Sequence, residues 1–286
     1  MAINLSKVSF AYYSPKKKTP PKYILKDINL HVDSTDEFIM LLGESGAGKS
    51  TLVQLLNGLL LTNEGEVVVF DKKISKTKDI KLKETRKRVG LVFQFPEYQL
   101  FEETVLKDVC FGPKNFGYEN YLELAKDALS VVGIDESLYT RNPYMLSGGQ
   151  MRKVAIAGIL ASNPDILVFD EPTVGLDPAG KKDLLKLLKK LNKEYHKTII
   201  FITHDMDVVG EVGKRIVVLN KGQVAFDGSK DDLFSNNNLM NEYSLDYPNT
   251  VKILKEIKNK FNVNINELKY SIEDVYEEIK RVFGDE

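Results

Sequence analysis

A glycine-rich run at residues 43–50 is the feature that most constrains the fold of this chain. Its sequence, GESGAGKS, fits the pattern G-x-x-x-x-G-K-[ST], in which backbone N–H groups surround phosphates, Lys49 reaches the β and γ oxygens and Ser50 holds magnesium. The apolar run 37–42 before it suits a buried parallel strand, and leucines recur after it at helical spacing: Leu52, Leu55, Leu56 and Leu59. The sequence therefore predicts a strand, a phosphate-binding loop and a helix whose N-terminus points at the phosphates.

The composition bounds the class of protein and its partners. With 286 residues, of which 43% are hydrophobic and 28% charged, the chain can build one large α/β domain with a smaller appendage. A net charge of −1 provides no general attraction for a phosphate backbone, so we expect no nucleic-acid partner. The single cysteine, Cys110, is expected to be a small buried hydrophobe. No segment approaches the ~20 apolar residues of a membrane-spanning helix, so a membrane role requires a partner.

The pattern along the chain predicts two kinds of sheet. Ile3–Phe10 and residues 23–32 alternate apolar and polar side chains, which is typical of antiparallel strands with one wet face. Residues 14–21, between them, are expected to form an exposed loop, with an anion site as the alternative. Strands then alternate with helices, which predicts a parallel sheet interrupted by an α-helical block. The expected strands are 65–70, 89–93, 166–169, 198–202 and 215–219, with a hairpin closing near Phe226, and the expected helices are 122–132, 151–160 and 178–191.

The C-terminal part has a different pattern. Residues 235–238, Ser-Asn-Asn-Asn, lack apolar periodicity and are expected to form a linker. Pro248 is placed to start one helix, and Ser271 with Asp274 is placed to cap a second. We therefore expect a small helical domain. Its apolar stripes either pack on each other and on the core, or form a surface shared with a second chain.

An apolar strand ends in two adjacent acids, Asp170 and Glu171. Side chains alternate along a strand, so the two carboxylates should point differently where the strand gives way to a loop. Asp170 is expected to hold the magnesium shell, directly or through water. Glu171 is then left to orient and deprotonate the water that attacks the γ-phosphate. The alternative is a pair of solvated acids, which the phosphate loop upstream disfavours.

A second glycine-containing turn, Leu146-Ser147-Gly148-Gly149-Gln150, follows later in the chain. Ser147 is a good N-cap, and the two glycines let the backbone approach an anion at a helix N-terminus. This turn resembles the LSGGQ motif of the ATP-binding cassette (ABC) family, specifically its ATPase subunits, and the resemblance extends up to about Gly228. It implies a head-to-tail dimer, in which each ATP lies between the Lys49 loop of one subunit and the Ser147 helix of the other.

The resemblance also implies roles for other side chains. Gln94 corresponds to the glutamine that contacts magnesium and the attacking water and senses the membrane partner, and His204 to the histidine that contacts the γ-phosphate. Asp177, in the turn Gly175-Leu176-Asp177, corresponds to the aspartate that links the two sites across the dimer. Tyr12 is expected to stack on adenine, because alternation along the strand places it on the face of Val8 and Phe10. Tyr13 is the alternative.

Together these inferences define the expected site. The catalytic residues are Glu171, His204 and Gln94, and the magnesium ligands are Ser50, Gln94 and Asp170. The nucleotide-binding residues are Tyr12, Gly43, Glu44, Ser45, Gly46, Ala47, Gly48, Lys49, Ser50, Thr51, Ser147, Gly148, Gly149, Gln150 and Asp177. The expected cofactors are ATP and Mg²⁺.

A narrower resemblance follows Gln94. Residues 95–105, FPEYQLFEETV, look like the energy-coupling-factor (ECF) group of these ATPases, which drives micronutrient uptake. The resemblance implies a pair of ATPases, often two paralogues, on a transmembrane scaffold (T) subunit that also holds a substrate-binding membrane (S) subunit. It also implies a short C-terminal dimerising domain, and the segment is closer to the second (A2-type) paralogue. Its aromatics and Leu100 suit a groove that receives a scaffold helix.

These inferences define the expected architecture and function. The fold class is α/β: a P-loop NTPase core of the ABC ATPase type with an N-terminal antiparallel β subdomain, an inserted α-helical subdomain and a small C-terminal helical domain. Residues 1–235 form the nucleotide-binding domain, with the helical subdomain at about 96–160, and residues 236–286 form the linker and dimerisation domain. The expected function is ATP hydrolysis that powers uptake of a vitamin or other micronutrient, from a peripheral position at the cytoplasmic face of the cell membrane.

Three other functions stay open at this point. They are the ATPase of another ABC importer, a soluble ABC ATPase acting on nucleic acid or ribosomes, and a small-molecule P-loop kinase. Soluble ABC ATPases typically carry two cassettes or a long coiled coil, and this chain shows neither. A kinase would leave the turn 146–150 unexplained. The sequence indicates neither the transported substrate nor whether the partner ATPase is a copy of this chain.

Overall fold

The N-terminal part folds as a four-stranded antiparallel sheet. The computed structural model describes residues 2–13, 21–34, 36–74 and 82–284. The strands are β1 (Ile3–Phe10), β2 (Leu25–Val32), β4 (Glu64–Val69) and β5 (Lys72–Ile74), in the order β2-β1-β4-β5. The predicted antiparallel pairing of the first two strands is confirmed, with Ile3 opposite Val32. The loop expected at residues 14–21 lies almost entirely outside the described residues.

A six-stranded sheet forms the centre of the molecule. Its strands are β3 (Phe38–Leu42), β6 (Val89–Val92), β7 (Ile166–Asp170), β8 (Thr198–Ile202), β9 (Arg215–Asn220) and β10 (Gln223–Ser229), in the order β10-β9-β3-β8-β7-β6. All neighbours are parallel except β9 and β10, which form the expected hairpin. Every residue of β3, β6 and β8 is buried, since both faces of the sheet are covered. The predicted parallel sheet is thus confirmed.

Helices cover the central sheet and extend from it. They are α1 (Lys49–Leu56), α2 (Leu82–Arg88), α3 (Val105–Phe116), α4 (Tyr121–Val131), α5 (Gly148–Leu160), α6 (Pro178–Lys193) and α7 (Met206–Val212). Helices α3, α4 and α5 pack on one another and form the predicted helical block between β6 and β7. The sequence patterns did not indicate α2, α3 or α7.

The carboxyl ends of the parallel strands meet at one edge of the central sheet, where open α/β sheets bind their ligands. The phosphate loop follows β3, Gln94 follows β6, and His204 follows β8. Glu171 follows β7, and its backbone N–H donates to the Ile202 carbonyl at 3.1 Å, which fixes it against β8. Residues far apart in the sequence are therefore collected at this edge.

The C-terminal part is helical from Lys230 onward, with α8 (Lys230–Ser235), α9 (Asn237–Glu242), α10 (Asn249–Phe261) and α11 (Ile272–Phe283). The expected linker at 235–238 is wrong, because α8 ends at Ser235 and α9 begins two residues later. The Asn236 side chain accepts from the N–H groups of Asn238 and Leu239 at 3.1 and 3.2 Å, and so caps α9.

Helices α10 and α11 begin where the sequence indicated. Pro248 immediately precedes α10, and the Ser271 hydroxyl accepts from the Asp274 N–H at 3.0 Å and caps α11. Their apolar stripes pack on each other and on α7: Val251 and Leu254 are fully buried. A second set of large apolar side chains stays exposed, namely Ile253, Phe261, Ile272, Tyr276 and Phe283. The shared surface remains a prediction.

Two expectations from composition can be checked on the described residues. Cys110 is buried, as expected, and burial raises the pKa of its thiol. In the part of the chain that the structure describes, no helix combines the length and the apolarity needed to cross a membrane.

Candidate functional site

The phosphate loop occupies the turn between β3 and α1 and depends on glycine backbone conformations. Gly43 has φ +138°, and a Cβ there would lie 2.1 Å from the carbonyl oxygen of Leu219 in β9. Gly48 has φ +103° and precedes the first helical residue. Glycine alone adopts both conformations without strain. The loop residues Glu44, Ser45 and Gly46 are exposed and lie just before the N-terminus of α1.

Lys49 is folded back into its own loop. Its side chain is buried, and Nζ donates to the carbonyl oxygens of Gly43 at 2.7 Å and Glu44 at 3.0 Å. Burial lowers the pKa of this ammonium below its usual value, and the carboxylates of Glu171 and Asp170 oppose that shift. The ammonium is thus positioned at the loop by two carbonyls, which a phosphate can replace with a stronger, charged partner.

Glu171 and His204 lie against the phosphate loop. The Glu171 Oε1 atom is 3.1 Å from His204 Nε2, and the same nitrogen is 3.3 Å from Lys49 Nζ. One imidazole nitrogen cannot donate to the carboxylate and accept from the ammonium at once, so the proton on Nε2 selects between the two contacts. Glu171 and His204 line a cavity of about 300 Å³ together with Ile24 and the phosphate-loop side of α1. The lining residues of that side are Ser45, Gly46, Gly48, Lys49, Ser50 and Thr51.

The backbone of Glu171 has an uncommon conformation. Its φ is +49°, in the left-handed region that non-glycine residues seldom adopt. Such conformations concentrate at functional sites, where the surrounding structure holds them in place. Glu171 therefore points into the cavity by a backbone turn at the end of β7, while Asp170 is still part of the strand. The expected divergence of the two acids follows from this turn.

Three expected magnesium ligands lie around this edge. Ser50 is exposed in the first turn of α1 and lines the cavity, Asp170 ends β7, and Gln94 is exposed two residues after β6. A hydroxyl, a carboxylate and an amide oxygen are the oxygen donors that Mg²⁺ accepts, and Mg²⁺ keeps several waters beside few protein ligands. Among the described residues, no group of three or more His, Cys, Asp or Glu side chains could hold a metal ion.

Tyr12 and Tyr13 follow β1 in the chain, and Tyr12 contacts α1. The Tyr12 hydroxyl is within hydrogen-bond distance, 3.0 Å, of the Thr51 hydroxyl, and its ring makes an edge contact with Phe10 at 5.0 Å. Both rings are more than half exposed, 64% for Tyr12 and 74% for Tyr13. Tyr12 is therefore held against the first turn of α1 while most of its side chain stays exposed.

The residues of the turn 147–150 are not part of this cavity. Ser147 caps α5: its hydroxyl accepts from the Gln150 N–H at 3.3 Å, and the Gln150 side chain accepts from the Ser147 N–H at 3.0 Å. Ser147, Gly148 and Gly149 are exposed. Ser147, Gly149 and Gln150 border a separate cleft of about 220 Å³ against α6. A single copy of the chain thus does not bring the phosphate loop and this turn together.

Asp177 also lies outside the cavity. It caps α6, because its carboxylate accepts from the Gly180 N–H at 2.9 Å, and it is exposed. Sequence reasoning missed Ile24, which lines the cavity from the residue before β2. It also missed Arg152 and Glu97, which form a nearly buried ion pair at 2.7 Å. The one sequence signal for this pair is the charged Arg152 on a helix face that is otherwise apolar.

Comparisons with known proteins agree with this geometry. The family model described as "ABC transporter" matches residues 25–174. The energy-coupling factor transporter ATP-binding protein EcfA2 of Bacillus thuringiensis (strain Al Hakam) is 43% identical over 286 residues, covering 99% of this chain and 96% of that protein. EcfA2 of Streptococcus pneumoniae serotype 2 is 46% identical over 285 residues, covering 98% of this chain and 99% of that protein.

Two solved structures are similar in fold. CbiO1 from Clostridium perfringens, part of the ABC transporter complex cbiONQ, superposes with a TM-score of 0.73 and 31% identity, covering 91% of this chain and 96% of that one. The ATP-binding cassette MJ0796, in a dimeric post-hydrolysis state bound to ADP and Pi, superposes with a TM-score of 0.68 and 33% identity, covering 79% of this chain and 98% of that one.

Proposed function

Because this chain belongs to the ABC transporter family, among its energy-coupling factor transporter ATP-binding proteins, we propose that it powers uptake of a vitamin or other micronutrient through a transmembrane scaffold. The chain is an ATPase of this family. The observation that carries the proposal is the cavity in which Glu171 and His204 face the phosphate loop. It combines an anion site with a carboxylate in reach of it.

Each residue of the cavity has a task in this proposal. The N–H groups of residues 44–51 bind the phosphates, and Lys49 exchanges its two loop carbonyls for β and γ oxygens. Glu171 orients the attacking water and accepts its proton. His204 contacts the γ-phosphate and, through Nε2, holds Glu171 in place. Tyr12 stacks on adenine.

Magnesium belongs to the proposed site. Ser50, Asp170 and Gln94 would hold the ion, which would supply positive charge beside the phosphates. The oxygen donors present fit this ion. Positioning and charge stabilisation are the main requirements of phosphoryl transfer, and the protein groups around the cavity provide both.

Dimerisation completes the proposed site. In one copy Ser147, Gly148 and Gly149 are exposed and lie away from the phosphate loop, so the N–H groups of Gly148 and Gly149, which the capping box leaves unused, bind the nucleotide of a second ATPase subunit. ATP favours the closed head-to-tail dimer because it gains contacts to Ser147 and Gly149 only there. Asp177 lies at the start of α6, within the same interface.

The docking segment, residues 95–101, is the proposed contact to the membrane partner. Its side chains Tyr98 and Phe101 are 82% and 58% exposed, and the ring of Phe111, which contacts Phe101, adds to the apolar surface. The C-terminal end of the segment is fixed to α3, because the Asp108 carboxylate accepts from the N–H groups of Phe101 and Glu102 at 2.8 Å each. A rigid apolar anchor site of this kind suits a scaffold helix. We propose that this scaffold (T) subunit and a substrate-binding (S) subunit hold the ATPase at the cytoplasmic face of the membrane.

Affinity purification tests this proposal. The chain and a variant with Tyr98→Ser and Phe101→Ser are each purified from detergent-solubilised native membranes, and the co-purifying proteins are identified by mass spectrometry. We expect a polytopic scaffold, a small substrate-binding membrane protein and a second cassette ATPase with the wild type. The variant should keep the second ATPase and lose the scaffold. Ribosomes or nucleic acid in place of membrane proteins would overturn the proposal.

A further inference from the structure

Arg152 lies outside the nucleotide cavity, in the first turns of α5. It is 5% exposed although it carries a full charge. Burying an arginine is unfavourable unless its N–H donors find partners and its charge is paired. Its partners therefore indicate why the charge is there.

The guanidinium of Arg152 joins two separate loops. Its Nε and Nη2 atoms donate to the two carboxylate oxygens of Glu97 at 3.0 and 2.7 Å, a bidentate pair. Its Nη1 atom donates to the backbone carbonyls of Pro172 and Val174, both at 3.0 Å. Glu97 belongs to the docking segment. Pro172 and Val174 belong to residues 171–177, which we call the Glu171 loop.

A second contact joins the same two loops. A Cβ built on Gly175 would lie 3.4 Å from the Phe95 ring, so that ring packs against the Glu171 loop. The guanidinium carbon of Arg152 lies 5.9 Å from the centre of the same ring. Burial raises the pKa of Glu97, but the hydrogen bonds and charge of Arg152 outweigh it and hold that pKa below its ordinary value. Glu97 stays ionised and bonded.

The Glu171 loop needs such support. Glu171 has a left-handed backbone, and the loop's own bonds include long turn bonds, from Val174 N–H to the Glu171 carbonyl at 3.3 Å and from Leu176 N–H to the Thr173 carbonyl at 3.2 Å. A charged donor placed on the carbonyls of residues 172 and 174 fixes the turn that directs the Glu171 side chain.

We infer that Arg152 is a positioning residue: it ties the docking segment to the Glu171 loop, so that the scaffold partner sets the position of the Glu171 carboxylate through Glu97 and Arg152. The inference rests on the proposed function for what occupies the docking segment. The connection itself, from Glu97 to Arg152 to the carbonyls next to Glu171, is built within the chain.

The test compares Arg152→Lys and Glu97→Gln with the wild type in the purified full-length chain. A lysine keeps the charge but cannot serve Glu97 and both carbonyls together. We expect kcat for ATP hydrolysis to fall by roughly 10- to 100-fold in Arg152→Lys, because small misplacements of a reacting group have effects of this size. KM for ATP should stay within about twofold, since Arg152 does not line the cavity at the phosphate loop, and in the cleft beside the turn 147–150 its N–H donors are taken by Glu97 and the carbonyls of residues 172 and 174. Arg88→Lys is the control, because Arg88 pairs with Asp165 instead.

A charge-swapped chain, Glu97→Arg with Arg152→Glu, separates positioning from simple stabilisation. A carboxylate at 152 re-forms the ion pair but cannot donate to the carbonyls of Pro172 and Val174. We expect Tm to recover relative to the single variants Glu97→Arg and Arg152→Glu, and kcat to stay low. Recovery of kcat together with Tm would overturn the inference, and so would an unchanged kcat in Arg152→Lys.

Hydrogen–deuterium exchange supplies a readout that does not depend on activity. In Arg152→Lys the amides of Val174 and Leu176, which are bonded within the Glu171 loop, should exchange faster by about tenfold or more, while those of the phosphate loop keep their rates. Equal exchange in variant and wild type would overturn the inference. A wild-type chain that hydrolyses no ATP even together with its second ATPase subunit would instead refute the proposed function, and the exchange experiment would still decide the role of Arg152.

Discussion

The phosphate loop and the turn 147–150 both present backbone N–H groups at a helix N-terminus, but they differ in what surrounds them. The phosphate loop lies at the edge of a fully buried sheet, next to Lys49, Glu171 and His204. The turn caps α5 by itself and is otherwise exposed. Changes in the first region act on one copy of the chain, whereas changes in the second act only through a partner that supplies the missing phosphate.

The largest expected effect is at Glu171. Glu171→Gln keeps the size and the contact to His204 but removes the base, so turnover should fall by roughly 10² to 10⁴ while ATP binding persists. ATP-bound dimers should then accumulate. Steady-state hydrolysis and size-exclusion chromatography measure both, with Glu194→Gln at the exposed end of α6 as control. Unchanged turnover in Glu171→Gln would remove Glu171 from its assigned role.

Gly149→Asp tests the second region. Within the described chain nothing lies within 4 Å of a Cβ at Gly149, and an acid in the first turn of a helix is favourable, so Tm should hold or rise slightly. A carboxylate there repels a phosphate supplied by a second subunit, so turnover should fall by about 10². Gly149→Ala, which adds no charge, should lose less of the turnover than Gly149→Asp does. Full activity of Gly149→Asp would contradict the role of this turn.

Mixing two inactive chains sharpens the same comparison. A dimer of Lys49→Ala with Gly149→Asp has one site with both defects and one intact site. Since half of randomly mixed dimers contain both chains, about a quarter of wild-type turnover should return. Equal amounts of the purified chains, assayed together and separately, give the result. The absence of any recovery would contradict head-to-tail assembly of this chain with itself.

Adenine stacking is expected to have a smaller effect. Tyr12→Ala should weaken ATP binding about tenfold, ~1.4 kcal/mol, whereas Tyr13→Ala should change it little. Tyr12→Phe loses the hydroxyl contact to Thr51 and keeps the ring, so it should bind nearly as well as the wild type. Equilibrium binding of a fluorescent ATP analogue compares the three. A larger loss in Tyr13→Ala would reassign the stacking residue.

The smallest expected effect is a pH dependence of ATP binding. The pKa of Lys49 in the free chain lies below its usual 10.5, and a bound phosphate raises it again because it favours the ammonium. The complex therefore holds more protons than the free chain above the lowered pKa, so ATP affinity should fall as pH rises, by less than tenfold per pH unit. Titration calorimetry between pH 7 and pH 10 measures this. The Lys49→Ala variant should bind ATP weakly, and its ATP affinity should not show this dependence on pH.

Local patterns in the sequence predicted the parts of the site that a few consecutive residues define. The phosphate loop, the two acids at the end of β7 and the caps at Ser147 and Ser271 each depend on spacing within one turn. The central sheet followed from apolar runs long enough to show their period. Short helices were not predicted from their patterns. An example is α7, which has only seven residues and depends on its cap, Asp205, whose carboxylate accepts from two backbone N–H groups.

Contacts between distant residues could not be predicted in the same way. Glu97 and Arg152 meet only because the docking segment folds over α5, and no periodicity connects them. The two carbonyl partners of Lys49 and the left-handed backbone of Glu171 likewise depend on how strands β3, β7 and β8 are placed side by side. The linker expected at 235–238 failed because Asn236, a residue that disfavours helix interiors, is a good helix cap.

At Glu171, the left-handed backbone conformation makes thermal stability and activity favour different residues. A non-glycine residue in this conformation costs about 1–3 kcal/mol, and glycine there would remove that cost. Glu171→Gly is thus a change that favours the folded chain and abolishes the reaction. A laboratory screen that selects for thermal stability alone would enrich glycine at this position. Any effort to thermostabilise the enzyme therefore has to keep residue 171 unchanged.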